Sequence, residues 1–280
     1  MKTIINLSVI IFLILSNASA QTMEIEIGAL SKIEIFYIYG KIKVIGTNDN
    51  RIFLKVTKQK DVPKEFNSLK YDFKESNSNL DLHIENTGGV LKIYPSSKKA
   101  KLADYLIKVP NSFMVKIISN SRDIKNKTWS PYSVKSAITD TIFIQNMVND
   151  IEIESSYYTI LKIIDISGPI VANTKFGDVY IQFSSLNQIR PSSIKTFSGQ
   201  INLILPQSVN CDIEQSSYSG NFNTEFNLND LKVEPPDPKV RNKMEVTDDE
   251  ADIKISGKIN YGGVKLFLDT FSGDINLRKK

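Results

Sequence analysis

Apolar and polar residues alternate along most of this chain in short runs, the period of two that turns one face of a β-strand toward a core. The runs begin at Met23, Ile25 and Ile27, then Ile33 and Ile35, Ile42 and Val44, and Ile52, Leu54 and Val56. They resume at Leu80, Leu82 and Ile84, at Leu91 and Ile93, at Tyr105, Ile107 and Val109, at Val115 and Ile117, and at Ile142 and Ile144. Turn chemistry separates them, as in Gly46-Thr47-Asn48-Asp49-Asn50, and Pro110 ends a ladder because proline has no N–H to donate. Residues 58–79 break the pattern and read as a polar excursion, with a short helix around 63–69.

From Asp150 onward the strands share a phrase: a small or polar residue, Gly, one residue, then a β-branched or aromatic residue opening an alternating run. It occurs around Gly168, Gly177, Gly199, Gly220, Gly257 and Gly273. A glycine that turns the chain at φ > 0, followed by extended residues, makes a corner and a strand. Beyond the corners Val179, Ile181 and Phe183 share one face, as do Ile201, Leu203 and Leu205, with Asp178, Gln182, Gln200 and Asn202 opposite. No single unit of this size buries its apolar face alone, so stacked units sharing one core satisfy them all. The expected fold is all-β, a single-stranded β-solenoid of short strands with glycine corners. A β-sandwich is the alternative. Residues 21–280 are expected to form one domain, with degenerate rungs over 21–149, regular repeats over 150–280 and an insertion loop near 227–251.

The N-terminus changes the picture of where the protein works. Lys2 precedes an almost wholly apolar stretch from Ile4 to Leu15, and Ala18-Ser19-Ala20 offers small residues before Gln21. This is the form of a signal peptide cleaved after Ala20. The stretch is shorter than the ~20 residues of a spanning helix, so no transmembrane span is expected in the mature chain. The protein is therefore expected to be exported: periplasmic, cell-surface or secreted. The lone Cys211 has no intramolecular disulfide partner and reads as a small buried hydrophobe.

Charge adds little. The chain of 280 residues carries a formal net charge of +4, with basic residues interspersed among acids, so nucleic-acid binding is not expected. Lys98, Lys99 and Lys101 form one dense basic spot, read as a solvated turn. Asp248, Asp249 and Glu250 lack any recognised calcium-loop pattern. A lone His83 on the polar face of a strand supports neither a catalytic triad nor a multi-histidine metal site. No catalytic residue, metal ligand or cofactor is assigned. Asp178 and Asp274 remain candidates for carboxylate chemistry, although Asp after a corner glycine also serves turn geometry. Tyr157, Tyr158, Phe176, Tyr180, Phe197, Tyr218 and Phe271 read as core and ladder packing, with a sugar-stacking strip as the functional alternative.

Ser256-Gly257-Lys258-Ile259-Asn260-Tyr261-Gly262-Gly263-Val264, followed by Thr270-Phe271-Ser272-Gly273-Asp274-Ile275-Asn276-Leu277-Arg278-Lys279, resembles a bacterial exported family of adhesin-like β-solenoids of unknown function. The phrases at Gly168, Gly177, Gly199 and Gly220 and the ending Val109-Pro110 fit it, whereas Pro235-Pro236 departs from a plain repeat. The resemblance implies surface adhesion and brings neither catalytic residues nor a defined ligand. It implies a non-enzymatic envelope module whose partner is an envelope protein, a surface or a glycan. The other readings are a polysaccharide lyase or hydrolase on the same scaffold and an envelope structural or stress-related protein.

Overall fold

The structure is a computed structural model that describes residues 11–15, 20–37, 40–58, 82–95, 103–119, 140–234 and 253–280. Among them there are strands and turns and no helix. The first half supplies β1 (Ile11–Leu15), β2 (Ala20–Glu26), β3 (Lys32–Tyr37), β4 (Lys41–Thr47), β5 (Arg51–Lys58), β6 (Leu82–Thr87), β7 (Val90–Pro95), β8 (Ala103–Pro110), β9 (Met114–Ser119) and β10 (Asp140–Gln145). The second half begins with β11 (Ile151–Ile166), β12 (Ile170–Phe176), β13 (Val179–Phe183), β14 (Ser192–Ser198), β15 (Ile201–Leu205) and β16 (Cys211–Ser219). It ends with β17 (Phe222–Thr224), β18 (Leu228–Glu234), β19 (Ile253–Ile259), β20 (Val264–Ser272) and β21 (Ile275–Lys279).

These strands form two large mixed sheets, sandwich-like, joined through the long β11. In the first sheet the order is β1, β2, β5, β8, β4, β10, the later part of β11, β13, β15, β21, β17. In the second it is β6, β7, β3, β9, the earlier part of β11, β12, β14, β20, β16, β19, β18. Both sheets are parallel through their middles; the second is antiparallel at both ends, and the first only at its β1 end, with β17 pairing parallel to β21. Inward side chains of the two sheets meet in one continuous apolar cluster. Within it, equivalent positions stack strand over strand: Val44, Ile144, Ile163, Ile181, Leu203 and Leu277 are successive register partners, all buried. Burying each such side chain stabilises the fold by about 1.5–3 kcal/mol relative to its exposure.

In the middle of the body, stacking follows the sequence. Gln200 lies beside Asp178, 22 residues earlier, and the same offset holds between β12 and β14. At the ends it does not. Asn276 lies beside Asn202, 74 residues earlier, while Asn221 lies beside Asp274, 53 residues later. The C-terminal pair β20 and β21 is thus inserted between β14–β15 and β16–β17. The N-terminal pair β3 and β4 is likewise flanked on both sides, by β7–β8 and β9–β10. Strict succession of rungs, expected from the glycine spacing, fails because local alternation specifies a strand's faces and not its neighbours.

The glycines of the repeated phrase occupy three different situations. Gly177, Gly199, Gly273 and Gly220 lie in one column at the bend between the sheets. There, a Cβ would sit 2.3 Å from the Thr159 carbonyl oxygen, 2.1 Å from that of Gly177, 2.0 Å from that of Gly199 and 1.9 Å from that of Gly273, respectively. Gly168 turns the chain on the opposite side, where a Cβ would meet the Asn149 carbonyl oxygen at 2.0 Å. Gly220 and Gly168 lack the positive φ that the corner reading predicts; close approach of the adjacent backbone requires them. Gly257 is not a corner at all. It lies inside β19, antiparallel to both β16 and β18, and only a side chain and a carbonyl beyond 3 Å face its missing Cβ.

Candidate functional site

The residues with chemical potential fall on the bend and on the two outer faces. At the bend, Asp178 Oδ1 accepts the amide N–H of Gln200 at 2.9 Å, and Asp274 Oδ1 accepts that of Asn221 at 2.8 Å. Each carboxylate thus satisfies a backbone donor of the strand stacked beside it, where the ladder changes direction. The two lie in one row with Gln200 between them, rather than facing each other across a cleft. The aromatic residues at this bend pack on one another. Phe197 and Phe271 are stacked at 4.8 Å and 2°, Tyr218 and Phe271 at 4.6 Å and 9°, and Phe176 meets Phe197 edge-on at 6.0 Å. Phe271 is covered on both faces, by Phe197 and Tyr218, so these rings pack as a ladder, while Phe197 stays 40% exposed. Tyr180 lies on the first sheet, and the side chains of Tyr157 and Tyr158 are outside the described residues.

Cys211 opens β16 fully buried, and burial, helped by the nearby Asp212 charge, pushes its thiol up to about 12. A thiol held that far above neutrality is no nucleophile. His83 lies in β6 opposite Tyr94 in register, with its side chain outside the described residues. Lys98, Lys99, Lys101, Asp248, Asp249, Glu250 and Ala18 are also outside them. Ala20 and Gln21 begin β2, in register with Thr57 and Val56, and β1, from the apolar N-terminal stretch, pairs antiparallel along β2. Among the described residues no three His, Cys, Asp or Glu side chains gather to hold a metal, and no helix is long and apolar enough to cross a membrane.

The outer faces differ in charge. On the second sheet Glu85, Lys92, Glu34, Lys116 and Glu152 are successive register partners, half-buried and alternating in sign. Lys116 Nζ lies 2.7 Å from Glu152 Oε2, and that hydrogen bond is the main reason the Glu152 carboxyl sits below its ordinary 4.5. A carboxyl depressed on folding stabilises the protein above its unfolded value, and the contribution is lost as pH falls through the folded one. Acidification below about 4.5 is therefore expected to lower the melting temperature, and Lys116→Gln to shrink that acid-side fall. An identical acid limb in the variant would count against the pair. Half-exposure keeps the effect small.

On the first sheet the equivalent row runs Lys55, Leu106, Lys43, Phe143, Lys162 and Tyr180, with apolar side chains where the other face has carboxylates. Beyond Tyr180 the row becomes an amide ladder, Asn276 donating to Asn202 Oδ1 at 3.1 Å and Asn223 to Asn276 Oδ1 at 2.9 Å. The lysine row has no counterpart in the linear sequence, where its members are scattered from 43 to 162. The signal that could have revealed it is the outward parity of each lysine in its strand, combined with the stacking order.

No protein-family model matches the chain, and no curated protein matches it. Among solved structures, it is similar to a "putative cell adhesion protein" from Clostridium sporogenes ATCC 15579, at 11% identity and a TM-score of 0.43, covering 93% of this chain and 99% of that one. It is similar to a "putative adhesin" from Bacteroides fragilis NCTC 9343, at 11% identity and a TM-score of 0.43, covering 92% and 96%. A "putative lipid binding protein" from Parabacteroides distasonis ATCC 8503 aligns at 16% identity and a TM-score of 0.30, covering 93% and 97%. The functional reading rests on this chain's own residues.

Proposed function

We propose that the chain is an exported, non-enzymatic interaction protein of the bacterial envelope or surface, a β-solenoid with a two-sheet cross-section over residues 21–280. Residues 1–20 act as a signal peptide cleaved after Ala20, which removes β1 and leaves β2 as the edge. The solenoid reading is supported by the 22-residue parallel offset that recurs in both sheets. The observation that carries the interaction reading is the contrast between the bend and the first sheet's outer face. At the bend, carboxylates and aromatics are engaged by the fold itself, whereas the face offers exposed cations without an ion-pair partner among the described residues, on a regular surface.

Two measurements test it. N-terminal sequencing of the protein recovered from an exporting bacterial host should begin at Gln21. The recovered protein should bind members of a glycan array without releasing cleavage products from them. Retention of residues 1–20 in the exported protein would remove the signal-peptide assignment, and product formation would replace the interaction module with an enzyme.

A further inference from the structure

Four strands from distant parts of the sequence put Lys55, Lys43, Lys162 and Lys108 on the outer face of the first sheet, all exposed. Lys55, Lys43 and Lys162 fall on every second strand of one row, which at a spacing of ~4.8 Å per strand sets them about 10 Å apart. Three of the four ammonium groups sit over aromatic rings. Lys43 Nζ lies 5.2 Å from the Phe143 ring centroid and Lys162 Nζ 5.7 Å from that of Tyr180, while in the adjoining row Lys108 Nζ lies 5.6 Å from that of Phe53. Cation–π contact holds the Lys43, Lys162 and Lys108 charges low against the sheet, so they have less side-chain freedom to lose on binding, whereas Lys55 has no such ring contact among the described residues.

None of the four makes an ion pair among the described residues, whereas the matching row of the second sheet is neutralised strand by strand. The positions opposite these lysines are filled by Leu106, Phe143 and Tyr180, so the face gives up the charge compensation its counterpart has. Among the described residues, carboxylates flank the track: Asp104 and Asp178 toward the bend, Asp165 on the other side, and beyond its β5 end Glu24 and Glu26 on β2, both paired with Arg51. A planar anionic surface would meet those acids, while a single chain laid along the track avoids them.

We propose that this row is the binding track for a linear acidic polysaccharide that runs across the strands from β5 to β13, its anionic groups meeting successive lysines. The assignment rests on the interaction reading above and names its ligand class. Several weak contacts held at fixed spacing reinforce one another, and such binding weakens steeply with salt.

The test measures binding of the purified full chain to polygalacturonate, to uncharged dextran and to phosphatidylglycerol vesicles. Polygalacturonate should bind and dextran should not, with affinity falling at least about tenfold between about 50 and 200 mM salt. Lys43→Glu/Lys162→Glu should weaken polygalacturonate binding at least about tenfold, or ~1.4 kcal/mol. Lys175→Glu/Lys254→Glu makes the same change of net charge on the second sheet and should cost less than about threefold. All four lysines are exposed, and unchanged thermal melting of both variants verifies folding. Equal losses in the two double variants, tighter binding to vesicles than to polymer, or no binding to polygalacturonate would each overturn the track. Array glycans bound in the absence of polygalacturonate binding would overturn only the track. Silence toward polymer, vesicles and array alike would overturn the interaction reading with it.

Discussion

Gly199→Val is expected to destabilise the protein by about 4 kcal/mol or more, the sum of a strained backbone and an overpacked contact at about 1–3 kcal/mol each, with β-branching at the upper end. Gly199 has φ +153°, a region that L side chains rarely adopt, and its Cβ would stand 2.1 Å from the carbonyl oxygen of Gly177 on the adjacent strand. That oxygen belongs to the backbone of the next stacked bend, so relief requires shifting a whole rung. Gly88→Ala separates the two causes. Gly88 has φ +61° with nothing within 4 Å of a new Cβ, so only the left-handed backbone cost of about 1–2 kcal/mol applies. Denaturant unfolding of both variants checks the comparison. Equal losses would mean that the stacked column is not what demands glycine at the bend.

Deleting residues 264–280 is expected to be more damaging than loss of an end repeat ordinarily is. The deletion removes β20 and β21, with Leu266, Leu268, Ile275 and Leu277 all essentially buried. At about 1.5–3 kcal/mol per side chain this approaches the whole stability of a typical domain, roughly 5–15 kcal/mol. The deletion is also internal in space. β16 and β17 lose the strands that join them to β14 and β15, so the region from β14 to β19 should become protease-sensitive as a unit. A truncated chain that keeps native protease resistance from Ser192 to Ile259 would contradict the strand order.

Much of the strand content was legible because alternation acts at the shortest range. Ile42 and Val44, Val179 and Ile181, and Ile201 and Leu203 are inward pairs whose burial follows from their own strands. Strand order was not legible. Ser256-Gly257-Lys258 has the same local form as Ser198-Gly199-Gln200, yet one lies mid-strand in an antiparallel hairpin and the other at a bend. Only partners tens of residues away decide between them. The lysine row was hidden for the same reason. In the sequence Lys43 sits near Lys41 and Lys55 near Arg51, and acids are interspersed throughout. Parity then sorts these residues onto faces, and stacking collects one face's cations from four separate segments. Asp178 was legible as a turn residue, but its service to the Gln200 amide depends on a neighbour 22 residues later.

The interior position of the pairs β3–β4 and β20–β21 bears on how such a body can change over generations. An array that lengthens by copying its last unit needs that unit at an open end. Here β20 and β21 already have neighbours on both sides, and so do β3 and β4. A tandem copy of either would find no vacant edge beside its parent, and a lost copy would leave a gap rather than a shorter stack. Copying or losing either of these pairs is therefore opposed by the neighbours that flank it, and variation is channelled into outward side chains and connecting loops, where a binding track can be rewritten without touching the frame.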